Sequence, residues 1–205
     1  MTTIHHIGPP PASARLTMIL VHGRGASAAD ILGVADEFGA DDVAYLAPDA
    51  PGRTWYPYSF LVPLEENEPH LTAALQTVGA IVADLGQQGV SPERIGLLGF
   101  SQGACLSLEY VARHAQRYAA VVGFSGGLIG PAGTPRLYGG NLEGTPVFLG
   151  CSDIDPHIPL ARVHESREVL KALGGSVDER IYPGMGHTIN RDELDAARLL
   201  LGVTR

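Results

Sequence analysis

The stretch Ile95-Gly-Leu-Leu-Gly-Phe-Ser-Gln-Gly-Ala-Cys105 decides the fold of this chain. Its first six residues are an apolar run that predicts a buried strand over 95–100, and a helix-forming stretch over 102–116 follows at once. Between them lies Ser101, with glycine two positions before and two positions after it. Strand and helix crowd each other at such a sharp turn, so the glycines relieve the crowding and the turn exposes the hydroxyl. The stretch therefore predicts a nucleophilic serine between a strand and a helix.

A second serine, Ser125, lies in the same pattern, Gly123-Phe-Ser-Gly-Gly127, and also follows an apolar run. What comes next differs, because Leu-Ile-Gly-Pro-Ala-Gly-Thr-Pro over 128–135 contains helix breakers and predicts a loop. A nucleophile turn needs the helix that follows it. We therefore interpret Ser101 as the nucleophile and Ser125 as a structural turn at the end of a strand.

Apolar runs and helical patterns alternate along the whole chain. Strands are predicted at 16–21, 43–47, 95–100, 119–124, 146–150 and 177–182, and helices at 27–38, 70–88, 102–116, 160–173 and 190–201. Such alternation favours an α/β fold in a single domain over 1–205, with a mostly parallel sheet covered by helices on both faces. Ligands of such sheets bind beyond the carboxyl ends of the strands, which here precede 22–25, 101–103, 151–159 and 183–188.

The composition argues against several classes of protein. The formal net charge is −8 and no basic stripe is visible, so nucleic acid is not an expected partner. No apolar run approaches the roughly 20 residues of a membrane span, and the first residues lack the basic and apolar parts of a secretory signal. The two cysteines, Cys105 and Cys151, do not make a disulfide framework. The sequence therefore predicts a cytoplasmic protein without an integral membrane segment.

A serine hydroxyl is a weak nucleophile near neutral pH and needs a base that a carboxylate orients. His187 is the candidate base, because it follows the last predicted strand and the glycines on both sides of Met185 let its loop curl inward. The acid lies in Asp153-Ile-Asp155-Pro, where either aspartate fits the role and the other would belong to a turn. A metal site made of Asp153, Asp155 and His157 has no second ligand cluster to support it.

Acyl transfer through a serine also needs N–H donors for the oxyanion of the tetrahedral intermediate. One donor is the backbone N–H of Gln102, the residue after the serine, and the other is expected from the loop His22-Gly-Arg-Gly-Ala26. Glycines on both sides of Arg24 let its N–H face the site. A phosphate-binding loop is the rival interpretation, but the segment lacks the third glycine and the P-loop lysine.

Four segments together resemble the phospholipase/carboxylesterase family, the acyl-protein-thioesterase-like branch of the α/β-hydrolases. They are Val21-His-Gly-Arg-Gly, Gly99-Phe-Ser-Gln-Gly-Ala, Asp153-Ile-Asp-Pro-His-Ile-Pro and Gly184-Met-Gly-His187, and the likeness covers about residues 15–203. It implies an α/β-hydrolase fold, hydrolysis of small-molecule carboxylic esters or thioesters, and no metal or organic cofactor. It also implies that Asp155 is the acid, because the family's aspartate stands just before a Pro-x-(Val/Ile)-Pro run. The pair that precedes this segment usually reads His-Gly in the family, whereas here it is Cys151-Ser152.

A long segment after Pro48 contains Trp55-Tyr-Pro-Tyr-Ser-Phe-Leu-Val-Pro-Leu64, an apolar run within a loop. Full exposure of such a run would be costly, so we predict that it walls an acyl pocket. The substrate-binding residues predicted here are Trp55, Tyr58, Phe60 and Leu61. An ordinary packed loop is the alternative.

Three further possibilities for this chain stay open. An apolar strip near the mouth of the pocket would allow two subunits to pair as a homodimer. The same serine, aspartate and histidine would also serve an acyltransferase, in which an alcohol or amine outcompetes water. A non-catalytic binding module on a hydrolase scaffold is the third possibility, and the complete set of three side chains argues against it, because a binder does not need them.

Overall fold

The computed structural model describes residues 2–203. Within them, the strands are β1 (Ile4–Ile7), β2 (Leu16–Val21), β3 (Val43–Pro48), β4 (Ile95–Phe100), β5 (Ala120–Phe124), β6 (Pro146–Ser152) and β7 (Ser176–Tyr182). The α-helices are α1 (Ala28–Phe38), α2 (His70–Gln87), α3 (Gln102–Arg113), α4 (Leu160–Ala172) and α5 (Arg191–Leu200). Short 3-10 helices lie at Pro51–Arg53, Leu64–Asn67 and Pro92–Arg94. None of the helices in this part of the chain is long and apolar enough to span a bilayer.

All strands belong to one seven-stranded sheet in the order β1-β3-β2-β4-β5-β6-β7. β1 pairs with β3 in the antiparallel direction, and every other pairing in the sheet is parallel. The prediction of a mostly parallel sheet is confirmed, and the last strand, β7, lies at an edge. Because β2, β4, β6 and β7 run the same way, the loops that follow them meet along one edge of the sheet.

Helices cover both faces of the sheet, and each face has its own apolar core. Residues of α1 and α5 pack on one face, and residues of α2, α3 and α4 pack on the other. The strands between them are buried on both sides: in β2, Met18 and Leu20 face the α1 side, whereas Ile19 and Val21 face the α3 side. This alternation follows from the two-residue period of a strand and explains why the central strands read as unbroken apolar runs.

The structure differs from the predicted elements by one missed strand and by two boundaries that shift by more than one residue. The strand β1 was not predicted, because its residues are mostly exposed and give no apolar run. The helix predicted over 102–116 ends at Arg113, where His114 leaves helical geometry with φ −124° and ψ 50°. The strand β6 continues two residues beyond its predicted end, to Ser152. Ser27 is the N-cap of α1, since its hydroxyl accepts a hydrogen bond from the backbone N–H of Asp30.

Candidate active site

Ser101 occupies the sharp turn between β4 and α3 that the sequence predicts. Its backbone has φ 55° and ψ −119°, a conformation that L-residues rarely adopt. Its N–H donates to the carbonyl of Phe124 (2.9 Å) and its carbonyl accepts from the N–H of Cys105 (3.0 Å), which holds the strained turn in place. A Cβ on Gly99 or Gly103 would overlap backbone atoms of the neighbouring element. Glycine at these two positions is therefore what lets the helix start so close to the strands.

His187 lies in the loop after β7 and connects the serine to an acid. Its Nε2 is 2.8 Å from the Ser101 hydroxyl, and its Nδ1 is 2.7 Å from a carboxylate oxygen of Asp155. The ring also packs against Phe100, with a distance of 5.0 Å between ring centroids. A proton on Nδ1 is held by the carboxylate and leaves Nε2 free to accept the proton of the serine hydroxyl.

The side chain of Asp155 is fully buried, and its carboxylate is well supplied with donors. Oδ2 faces His187, and Oδ1 accepts hydrogen bonds from the backbone N–H groups of His157 (2.8 Å) and Ile158 (3.1 Å). Burial alone would raise the pKa of Asp155, but the hydrogen bonds from His187 and the two N–H groups outweigh it, so the pKa lies below its usual value. The carboxylate therefore stays ionised beside the imidazole.

The other aspartate of this loop has a different contact. Asp153 accepts a hydrogen bond from the backbone N–H of Gly184 (2.8 Å) and so ties the loop after β6 to the loop that carries His187. The hydroxyl of Ser152 adds a second link by donating to the Met185 carbonyl. Within residues 2–203, no group of three or more His, Cys, Asp or Glu side chains is arranged to hold a metal ion. The geometry thus brings Asp155, and not Asp153, to the imidazole.

Ser125 has a positive φ like Ser101 but a different environment. Its φ is 50°, and its N–H donates to the carbonyl of Gly150 (2.7 Å). The residue is fully buried at the end of β5. Among the described residues, no hydrogen bond joins its side chain to a histidine. The strained turn at Ser125 therefore lacks both the access and the base that Ser101 has.

The two predicted oxyanion donors lie on either side of the serine. Gln102 is the first residue of α3, and Arg24 lies in the loop after β2, between Gly23 and Gly25. Neither backbone N–H has an acceptor within the described part of the chain. The first N–H groups of a helix have no partner inside it, so the N–H of Gln102 is available to a ligand.

A cleft of about 450 Å³ opens beside the serine. Its lining residues are Arg24, Tyr56, Pro57, Tyr58, Ser59, Phe60, Ser101, Gln102, Cys105, His157, Ile158 and His187. Two of the four predicted substrate-binding residues, Tyr58 and Phe60, are among them. The other two are not: Trp55 is buried, with its indole N–H donating to the carbonyl of His22 (2.9 Å), and Leu61 packs against the core.

The cleft also has walls that sequence reasoning missed. Tyr56, Cys105 and Ile158 all line it. Cys105 lies one helical turn after Ser101, which is the signal that could have placed it on the same face of α3. Burial raises the pKa of its thiol to about 12, as it does for Cys151, so both cysteines are protonated packing groups.

Comparison with known proteins gives consistent results. A family model described as Phospholipase/Carboxylesterase matches residues 2–203. The crystal structure of a phospholipase/carboxylesterase from Dyadobacter fermentans is 40% identical in sequence, with a TM-score of 0.94, and covers 98% of this chain and 96% of that chain.

Two relatives called acyl-protein thioesterase 1 are also similar. The protein from Neurospora crassa is 28% identical over 214 residues, which is 91% of this chain and 86% of the relative. The protein from Gibberella zeae is 36% identical over 116 residues, and there the match spans 55% of this chain and about half of the relative (49%).

Proposed function

Because the chain belongs to the phospholipase/carboxylesterase family, we propose that Ser101, His187 and Asp155 carry out its hydrolysis of carboxylic esters or thioesters. The chain has the α/β-hydrolase fold and is a carboxylic ester hydrolase, as its sequence predicted. The observation that carries the assignment of roles is the continuous pair of hydrogen bonds from the serine hydroxyl through the imidazole to the buried carboxylate, 2.8 Å and 2.7 Å long.

The first half of the reaction transfers the acyl group to the enzyme. The Ser101 oxygen attacks the carbonyl carbon while Nε2 of His187 takes the hydroxyl proton, and the carbonyl oxygen becomes an oxyanion. The bond to the leaving group then breaks, and the imidazolium gives its proton to the departing alcohol or thiol. Asp155 keeps the imidazole in the required tautomer and stabilises its positive form, which its lowered pKa makes possible at neutral pH.

The second half of the reaction releases the acid. A water molecule gives a proton to His187 as its oxygen attacks the acyl carbon. The tetrahedral intermediate then collapses, the bond to the Ser101 oxygen breaks, and the proton returns from His187 to the serine. The proposed steps use only side chains, backbone N–H groups and water.

The backbone N–H groups of Arg24 and Gln102 are the proposed oxyanion donors. Their support is that neither has an acceptor within residues 2–203 and that each belongs to a loop or helix end next to Ser101. Fixed donors of this kind contribute about 3–4 kcal/mol each to the stability of the transition state.

The acyl group is proposed to lie in the cleft, against Tyr58 and Phe60. The volume of this cleft, about 450 Å³, is within the usual range of small-molecule sites. Relatives named as acyl-protein thioesterases suggest thioesters as substrates beside oxygen esters. A cytoplasmic location and a homodimer stay predictions from the sequence.

An active-site probe tests the proposal directly. A fluorophosphonate should label the wild-type protein and should fail to label Ser101→Ala. The matched control is Ser125→Ala, which keeps the same probe reaction because that serine is buried. Labelling that survives Ser101→Ala but disappears in Ser125→Ala would overturn the assignment.

A panel of nitrophenyl esters and acyl thioesters of graded chain length, with an added alcohol to detect acyl transfer, then defines the substrate class.

A further inference from the structure

The carbonyl oxygen of Tyr56 accepts three side-chain hydrogen bonds. Arg24 donates one from Nη2 (2.9 Å), Gln102 donates one from Nε2 (2.8 Å), and Thr54 donates one from its hydroxyl (3.1 Å). Two of these three donors are the residues whose backbone N–H groups are the proposed oxyanion donors. A single carbonyl thus joins, through side chains, two residues that are 78 positions apart in the sequence.

Each of the two side chains holds the segment 54–58 at more than one point. The guanidinium of Arg24 also donates to the carbonyls of Pro57 (2.7 Å) and Tyr58 (2.7 Å). The amide oxygen of Gln102 accepts from the backbone N–H of Trp55 (3.0 Å). The Thr54 hydroxyl also lies 3.2 Å from this oxygen, so its one proton can go either there or to the Tyr56 carbonyl. Gln102 is buried, so its bonds to Trp55 and Tyr56 are protected from water. Arg24 is exposed, but a hydrogen bond from its charged guanidinium is stronger than one between neutral groups.

We infer that the side chains of Arg24 and Gln102 are positioning groups, which use the segment 54–58 as a strut to fix the spacing of the two oxyanion N–H groups. The inference rests on the proposed function. Arg24 needs such an anchor, because it lies between two glycines and its backbone is otherwise held mainly through the bond from Gly25 N–H to the Arg53 carbonyl (2.7 Å). Oxyanion donors act only when they are already placed at the position that the developing charge will occupy.

The strut also lines the cleft, and this couples substrate fit to catalysis. Tyr56, Pro57 and Tyr58 belong both to the wall of the cleft and to the segment that the two side chains hold. An acyl group that pushes on this wall therefore pushes on the oxyanion donors. Changes in acyl shape should then appear in kcat as well as in KM.

Side-chain variants leave both backbone N–H groups in the chain and test the strut alone. Arg24→Met and Gln102→Met remove the bonds to Tyr56, whereas Arg24→Lys keeps the charge but cannot reach three carbonyls at once. The matched control is Asn67→Ala. Asn67 is buried and holds the same loop from its other side, through the N–H of Tyr58 (2.9 Å) and the carbonyl of Ser59 (3.0 Å), without touching either oxyanion donor.

The readouts are kcat, KM and the inhibition constant of a trifluoromethyl ketone, which forms a tetrahedral adduct with the serine. We expect kcat to fall by about tenfold to a hundredfold in each methionine variant, with a parallel loss of affinity for the ketone and a smaller loss in Arg24→Lys. The double variant should lose less than the product of the single losses, because both side chains act through one carbonyl. Asn67→Ala loosens only Tyr58, at the end of the segment away from the Tyr56 carbonyl, so KM should rise and kcat should fall by less than in either methionine variant.

Two results would overturn the inference. One is unchanged kcat and ketone affinity in folded Arg24→Lys and Gln102→Met; the other is an equal loss of kcat in Asn67→Ala, which would make the strut an ordinary packed loop. A methionine variant that does not fold leaves Arg24→Lys to decide. Failure of the proposed function has a different signature, since wild type would then show no hydrolysis that depends on Ser101.

Discussion

Gly103→Ala should lower both the stability and the kcat of the protein, because the serine turn has no room for a Cβ at this position. A Cβ at this position would lie 2.6 Å from the His22 carbonyl oxygen and closer still to the carbonyl oxygen of Val21. These are backbone atoms at the end of β2 and cannot rotate away. To restore ordinary contact, the start of α3 must move away from the sheet by about 1.4 Å.

The retreat has two costs that can be measured apart. Overpacking of this kind lowers the free energy of unfolding by about 1–3 kcal/mol, and alanine returns up to about 1 kcal/mol through its better helix propensity. The net loss of about 1–2 kcal/mol corresponds to a fall in Tm of roughly 2–8 °C for a chain of this size. Because Ser101 and Gln102 move with the start of the helix, kcat should also fall by about a hundredfold.

The assay is a thermal melt followed by circular dichroism, together with kcat on a nitrophenyl ester. Gly33→Ala is the matched control, because Gly33 lies exposed within α1 and an added Cβ meets nothing within 4 Å. That variant should gain about 0.5–1 kcal/mol and keep wild-type kcat. If Gly103→Ala melted at the wild-type temperature with unchanged turnover, the argument from crowding at the turn would be wrong.

Three further predictions concern the acid, a buried carboxyl and the cleft. Asp155→Asn should lower kcat by about 10⁴, whereas Asp153→Asn, whose amide oxygen still accepts from the Gly184 N–H, should stay within about tenfold of wild type; equal losses would contradict the choice of acid. Burial raises the pKa of Glu193 to about 7, so the folded state holds this proton more tightly than the unfolded state, and its contribution to stability is lost as the pH rises from about 4.5 to about 7. In melts across that range, Glu193→Gln should become more stable relative to wild type by about 3 kcal/mol, and a difference that does not vary with pH would refute this. Phe60→Ala should change the preference for acyl chain length and Leu61→Ala should not, because only Phe60 lines the cleft; a nitrophenyl ester series checks both, and an equal effect in the two would count against the lining.

Sequence alone predicted the sheet, its covering helices and the three side chains proposed for catalysis. The apolar runs and the helix after Ser101 carry that information locally, because a turn of this kind needs its own helix. The choice between Ser101 and Ser125 shows the limit of the motif. Both residues adopt a positive φ, so backbone strain does not distinguish them, and only the following helix in the sequence and the burial in the structure do.

The parts that were missed depend on contacts between distant segments. Trp55 was assigned to the cleft for its apolar ring, yet the ring is buried because its indole N–H donates to the carbonyl of His22. Whether a side chain in a long loop faces in or out is set by such a tertiary bond and not by local pattern. The same holds for the amide of Gln102, whose partners lie in 54–56, and for β1, which is a strand only because β3 offers it an edge.

The two outer strands of the sheet bear on how this protein behaves in concentrated solution. An unpaired strand edge is a template for intermolecular pairing and aggregation, and short or charged edge strands discourage it. At one side, β1 is only four residues long and carries two histidines, of which His5 pairs with Asp49 (2.8 Å). At the other side, β7 carries Asp178, Glu179 and Arg180 in succession. Neither edge strand favours pairing with a strand of a second molecule, so a high protein concentration should not lead to fibres that grow from the sheet edges.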